Sequence, residues 1–221
     1  MPQTIAIIDY GSGNLRSAAK AFDFVCKQEH IGANVIITDK AADVAKADKI
    51  VLPGQGAFAD CMSGLSNVSG MVDALEEKVL QRGTPFLGIC VGMQLMAERG
   101  LEFGEHKGLG WIQGDVVKMT PNDKSLKIPH MGWNEITATQ PQHFVLQGIT
   151  KKTDGALPDF YFVHSFVFEC KDSKNIAASC DYGGKFTAIA AKDNMIGCQF
   201  HPEKSQGAGL DLIRGFLNWK P

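Results

Sequence analysis

Apolar residues follow two rhythms along this chain. In the first half, short unbroken apolar runs alternate with stretches in which apolar residues return every third or fourth position. "TIAIID" (4–9), "NVIITD" (34–39), "KIVLPG" (49–54) and "TPFLGIC" (84–90) predict buried strands. Leu15, Ala18, Ala19, Phe22 and Cys26 recur at helical spacing after the first run, and Val72, Leu75 and Val79 mark another helix face that stops at Gly83. "GMQLMAER" (92–99) predicts a helix directly after the fourth run. Such alternation predicts an α/β fold, a mostly parallel sheet flanked by helices with ligands beyond the carboxyl ends of its strands.

The second half changes to extra antiparallel β strands. "GDVVKM", "NEITAT", "DFYFVHSFVFEC", "IAASC" and "FTAIAAKDNMIGCQFHPE" are β-rich, with turn signals at Gly183-Gly184 and Asp193-Asn194. A final amphipathic helix is expected to carry Leu210, Ile213 and Leu217 inward. No repeat, low-complexity tract or linker interrupts the pattern, so residues 1–221 read as a single domain.

Composition removes whole classes of partner. A formal net charge of −2 over 221 residues supplies no basic stripe for nucleic acid and no polybasic patch for a membrane. No apolar stretch approaches the ~18 residues of a membrane span. The first apolar run follows no basic segment and soon meets Asp9, unlike a signal peptide. The six cysteines form no C-x-x-C pair or metal-type cluster and read as reduced thiols of a cytoplasmic protein. Among them Cys198 reads as a core thiol, while His30, His106 and His143 read as surface residues. A small molecule or a protein is the expected partner.

One cysteine stands apart. "GICVG" (88–92) places Cys90 between two glycines where a strand gives way to a helix, the pattern of a nucleophile elbow. A helix beginning after Cys90 directs free N–H groups and a positive dipole end at its sulfur, favouring thiolate, and the Val91 N–H is placed to stabilise an oxyanion. The pattern alone equally suits an inert cysteine beside a tight turn. A base decides between them, and "QFHPEKS" (199–205) supplies His201 with Glu203 two residues on, although the same tripeptide occurs as a solvated surface turn. Pro202 predicts an extended backbone that points both side chains one way. A Cys-His-Glu set performs acyl transfer through a thioester, with amides as natural substrates.

"PGQGAF" (53–58), "GICVGMQ" (88–94) and "FHPE" (200–203) resemble, in order and spacing, the class I, triad-type glutamine amidotransferases, a flavodoxin-like fold family. "DYGSGNLRS" (9–17), "KIPHMGWNE" (127–135) and "YFVHSF" (161–166) narrow the resemblance to the glutaminase subunits of histidine biosynthesis. The resemblance implies glutamine hydrolysis by Cys90, His201 and Glu203, with ammonia passed to a separate (β/α)₈-barrel cyclase, in a heterodimer poorly active without that partner. It implies no metal and no organic cofactor. By position, the backbone of Gly54 and Gln55 completes an oxyanion hole with Val91, in some states only after a peptide flip. Gln94, Glu102, Ser165 and Phe166 fall where the family holds glutamine, the last two mainly through backbone groups. Members commonly carry Val where this chain has Gln55.

The resemblance also implies a partner face containing Asn14, Arg16, Trp133, Tyr161, His164 and Lys204. All but Arg16 have a plainer reading: a helix cap for Asn14, core or strand packing for Trp133, Tyr161 and His164, a solvated cation for Lys204. "GSGN" lacks the G-x-G-x-x-G pattern, which argues against nucleotide binding at Asp9, Tyr10, Gly11 and Gly13. Remaining alternatives are a glutaminase of another pathway such as pyridoxal phosphate synthesis, a non-catalytic binding module of the same fold, and an unrelated cysteine hydrolase.

Overall fold

The computed structural model describes residues 2–149, 151–152 and 156–221. Along the first half, β1 (Gln3–Ile8) leads to α1 (Leu15–Gln28), β2 (Ala33–Thr38), the single turn α2 (Ala41–Val44) and β3 (Lys49–Gly54). There follow α3 (Phe58–Asn67), α4 (Met71–Glu76), a π-helical turn over Glu77–Gln81, β4 (Phe86–Cys90) and α5 (Val91–Gln94). Every residue of β3 and β4 is buried, as unbroken apolar runs require. Helix α1 buries Ala18, Phe22, Val25 and Cys26 at the predicted spacing.

The second half supplies short strands: β5 (Arg99–Gly100), β6 (His106–Lys107), β7 (Gly114–Lys118), β8 (His130–Glu135) and β9 (Thr137–Ala138). The turn α6 (Phe144–Gln147) precedes β10 (Asp159–His164), β11 (Phe166–Cys170), β12 (Ile176–Asp181), β13 (Lys185–Lys192) and β14 (Met195–Cys198), and α7 (Gln206–Asn218) closes the fold. The main sheet runs β2-β1-β3-β4-β14-β13-β12-β9. Its first five strands are parallel and the last three join antiparallel. A four-stranded sheet β11-β7-β5-β6 and a β8-β10 ribbon complete the β structure. None of the described helices is long and apolar enough to cross a membrane, and all six cysteines are free thiols.

Three local expectations are corrected, and one β-rich run is divided between two strands. The helix after Cys90 lasts one turn, because the carbonyls of residues 95–98 accept from the backbone N–H groups of Gly108, Leu109, Gly110, Trp111 and Ile112 instead of continuing a helical ladder. The run "DFYFVHSFVFEC" breaks at Ser165, whose carbonyl accepts from Met119 N at 2.9 Å, so β10 and β11 enter different sheets. In α7 the buried apolar face is Leu212, Ile213, Phe216 and Leu217, with Leu210 only half-buried. Glycines set that register: a Cβ on Gly209 would lie 1.8 Å from the Pro202 oxygen and one on Gly215 2.6 Å from the Val145 oxygen. Finally, His143 is half-buried rather than a surface residue, because its Nδ1 accepts from Val145 N at 3.3 Å and its ring meets Trp219.

Candidate active site

Strands β3, β4 and β14 lie side by side, and their carboxyl ends deliver Gly54, Cys90 and the segment leading to His201 to one edge. Cys90 sits in a corner with φ +55° and ψ −114°, a conformation that costs a non-glycine residue about 1–3 kcal/mol. Packing enforces it. A Cβ on Gly88 would approach the Gly92 oxygen to 2.6 Å, and one on Gly92 would meet the Leu52 oxygen at 1.8 Å. The two glycines thus let α5 turn tightly back across β3 and β4, which answers why Cys90 is flanked by them. Gly54 has the same role opposite, since a Cβ there would come within 2.7 Å of Gly92 N and of the Tyr10 hydroxyl.

His201 Nδ1 and Glu203 Oε1 are 2.9 Å apart, and both side chains are only 3% exposed. Glu203 returns to the imidazole through a 3₁₀ turn over Pro202–Lys204, not along the extended segment expected from Pro202. With Nδ1 engaged by the carboxylate, Nε2 is the nitrogen left to act; it is buried without a hydrogen-bond partner. Burial pulls the His201 imidazolium down, yet its interactions with Cys90 and Glu203 outweigh this and lift its pKa to about 9. Cys90 and His201 thus act on one another short of a formed hydrogen bond, a looseness common in unliganded active sites. The backbone of His201 is bolted down: its N–H donates to the Tyr161 carbonyl at 2.9 Å, while the Ser205 hydroxyl donates to the His201 carbonyl at 2.6 Å and accepts from Tyr161 N at 3.0 Å.

A cleft of about 340 Å³ opens over these groups. Among the sequence-predicted residues it is lined by Cys90, Val91, Gln55, Gln94, Glu102, His164, Ser165, Phe166, His201 and Lys204; Glu203 stands behind His201 and Gly54 behind the elbow. The Gln55 N–H donates to Ser12 Oγ at 3.1 Å, and its carbonyl accepts from Ser12 Oγ at 2.5 Å and from Cys61 Sγ at 3.4 Å. Tyr10 OH donates to the Pro53 carbonyl at 2.8 Å, so the 10–13 loop holds the strand end beside Cys90. Both hydrogens of Gln94 Nε2 are engaged, by Phe166 O at 3.1 Å and Gln199 Oε1 at 3.0 Å, leaving Oε1 for a ligand. Glu102 Oε2 accepts from Phe58 N at 2.8 Å at the start of α3.

Residues expected on a partner face divide. Trp133 and Tyr161 are register partners in the β8-β10 ribbon, their rings 6.0 Å apart, and Lys204 Nζ lies 5.9 Å over the Tyr161 ring. Trp133 is 48% and Met131 63% exposed, so one face of this ribbon is apolar and open beside the cleft. His164 lies on the opposite face, 6% exposed, with Nε2 3.1 Å from His130 Nδ1 and Nδ1 3.0 Å from the Phe166 carbonyl. Burial of this position leaves it little surface to offer a partner directly. Asn14 occupies the cap position of α1, but its side chain makes no capping bond; Arg16 is exposed.

Sequence reasoning passed over Ser12, His130 and Gln199. Gln199 had a usable signal, because it precedes His201 by two residues with the buried Phe200 between them. Ser12 and His130 become visible only when the loop meets β3 and the ribbon forms, stacking His130 on its own Phe162 and on Tyr182.

Comparison with known proteins places residues 6–218 in a match to the family model for glutamine amidotransferase class-I. The chain is 55% identical to the imidazole glycerol phosphate synthase subunit HisH of Brucella suis biovar 1 over 98% of this chain and 99% of that one. It is 54% and 51% identical, with the same coverage, to the proteins of that name from Agrobacterium fabrum and Rhodospirillum rubrum. Among solved structures, a glutamine amidotransferase superposes with a TM-score of 0.66 at 17% identity over 96% of both chains. A second, from Thermotoga maritima, gives 0.64 at 14% identity over 92% of this chain and 77% of that one.

Proposed function

The chain belongs to the class-I glutamine amidotransferase family, and from that premise we propose that it is the glutaminase subunit of a cytoplasmic imidazole glycerol phosphate synthase. In this reading it hydrolyses glutamine to glutamate and ammonia for histidine biosynthesis. The observation that carries the chemistry is the meeting of Cys90, at a strained strand end, with the buried His201–Glu203 pair in one cleft.

The one proton shared by the Cys90–His201 pair is held at His201 Nε2, as the raised His201 pKa favours, and the thiolate attacks the carbon of the glutamine side-chain amide as the carbonyl electron pair moves onto oxygen. Val91, at the start of α5, has an N–H with no partner within its helix and supplies one donor to that oxygen in this reading. A second donor comes from the Gly54–Gln55 backbone. His201 then protonates the departing nitrogen, ammonia leaves, and a thioester remains. Water adds to it with His201 as base, and glutamate is released. Glu203 holds the imidazole in the required tautomer. Gln94 offers only its oxygen to the substrate, an acceptor suited to the α-ammonium, which Glu102 attracts as well; the backbone of Ser165 and Phe166 supplies the rest of the grip.

The partner in this reading is a (β/α)₈-barrel cyclase docked on Trp133, Tyr161, Lys204, Asn14 and Arg16, with His164 acting from behind the ribbon. It combines ammonia with its ribonucleotide to give imidazole glycerol phosphate and aminoimidazole carboxamide ribotide. Gating in this reading centres on Ser12: as long as its hydroxyl holds the Gln55 N–H, that donor is engaged and not free for an oxyanion. Activation by the liganded partner is release of this bond.

Glutamate release from glutamine by the purified chain, alone and with the cyclase plus its ribonucleotide, tests the reading. Strong activation that vanishes in Cys90→Ala is the expected result. High activity without partner would overturn the gating, and no release under any condition would leave a binding module.

A further inference from the structure

Gln199 is fully buried, and its Nε2 donates to the Cys90 sulfur at 3.7 Å, a normal reach for a sulfur acceptor. Its Oε1 accepts from Gln94 Nε2, whose other hydrogen goes to the Phe166 carbonyl. An amide side chain has two orientations of similar shape, and hydrogen-bond partners choose between them. Here each choice forces the next. The Phe166 carbonyl only accepts, so Gln94 presents its NH₂ there. That same NH₂ faces Gln199, which must answer with oxygen. The Gln199 NH₂ is thereby turned to the sulfur.

Burial disfavours a charged thiolate, and an N–H aimed at the sulfur favours it. We propose that Gln199 is a further catalytic residue, donating this N–H to the Cys90 thiolate, and that Gln94, anchored on the Phe166 carbonyl, is the positioning residue that keeps the donor turned toward sulfur. The step it assists is the transfer of the Cys90 proton to His201 Nε2; no bond to Gln199 forms or breaks. The titratable groups acting on Cys90 are His201 after β14, Tyr10 after β1, Cys61 on α3 and Cys198 on β14. Gln199 carries no charge at any pH, so it moves the ionisation of Cys90 without adding one of its own.

The proposal rests on the glutaminase reading only for what the thiolate attacks. Its test is the pH profile of iodoacetamide alkylation of the full chain, read by mass spectrometry on the peptide carrying Cys90. Gln199→Met keeps the shape and removes the donor, whereas Gln199→Glu sets an oxygen against the sulfur. The alkylation midpoint rises by about 1 pH unit in the Met variant and further in the Glu variant. Gln94→Met, which leaves Gln199 in place but free to turn, gives a smaller rise. With the cyclase present, kcat for glutamine falls in both Gln199 variants while KM stays within about twofold of the parent. Profiles of Gln199→Met and Gln199→Glu that overlay the parent overturn the proposal. If neither folds, an unchanged profile in Gln94→Met does so. A parent chain that releases no glutamate under any condition overturns the glutaminase reading instead, and the alkylation profiles still decide for Gln199.

Discussion

Alanine at position 92 would drive a methyl group into the Leu52 carbonyl, part of the backbone of a fully buried strand that has no room to yield. Gly92→Ala is therefore expected to cost at least about 3 kcal/mol, seen as a lowered Tm or an insoluble product. The histidines make a separate prediction. Burial holds His164 at a pKa of about 3 and His130 at about 4, below the 6.5 of an unfolded chain. Between pH 4 and 6.5 the unfolded state binds more protons, so stability rises with pH. His201 is opposite in sign: its folded value of about 9 exceeds 6.5, so its contribution is complete below pH 6.5 and is lost as pH climbs toward 9. The histidines together place maximal stability near pH 6.5. Thermal midpoints measured from pH 4 to 8 check this: His164→Gln flattens the acid side and Glu203→Gln the alkaline side. Unaltered slopes in both variants would refute it.

At the scale of elements, one loop and one hydroxyl link the open aromatic ribbon to the chemistry. Ser205 ties the His201 carbonyl to Tyr161 N, so Ser205→Ala strands the Tyr161 N–H and leaves the His201 carbonyl with the Lys204 N–H alone; we expect about 1–3 kcal/mol lost in denaturant melts and a lower kcat. Ser12→Ala is expected to raise glutamine turnover without partner, because it frees the Gln55 N–H; an unchanged basal rate would remove the latch from the gating reading. The sequence was a good guide to the elements here, and physics says where it stopped. Buried parallel strands announce themselves as unbroken apolar runs, and β3 over Lys49–Gly54 coincides with its predicted span. The elbow was legible because only glycine tolerates such close approach. By contrast, α5 ends early for a reason held by residues 108–112, and Leu210 yields to a face chosen by Gly209 and Gly215. A pattern of side chains cannot register contacts made by backbone alone. Gln199 did leave a signal in its two-residue spacing from His201, but not the orientation handed to it by Phe166 through Gln94.

Over the whole molecule, the parallel half carries Gly54 and Cys90 while the antiparallel half braces the strand that delivers His201. Lys49 joins the sheet to the end of the chain: its Nζ donates to the Trp219 carbonyl at 2.6 Å and lies 5.3 Å from the centre of the Phe216 ring. Burial lowers this lysine to about 8, opposed by nearby Asp48. Strand β14 is the last strand in the chain, yet it sits at the middle of the main sheet between β4 and β13. That insertion has a consequence for synthesis. In the proposed roles, a ribosome delivers the Cys90 nucleophile with more than half of these 221 residues still untranslated, and the His201 base arrives with the closing strand. A nascent or prematurely terminated chain therefore holds a sulfur without a proton acceptor, so a truncated product is idle, not wasteful of nitrogen.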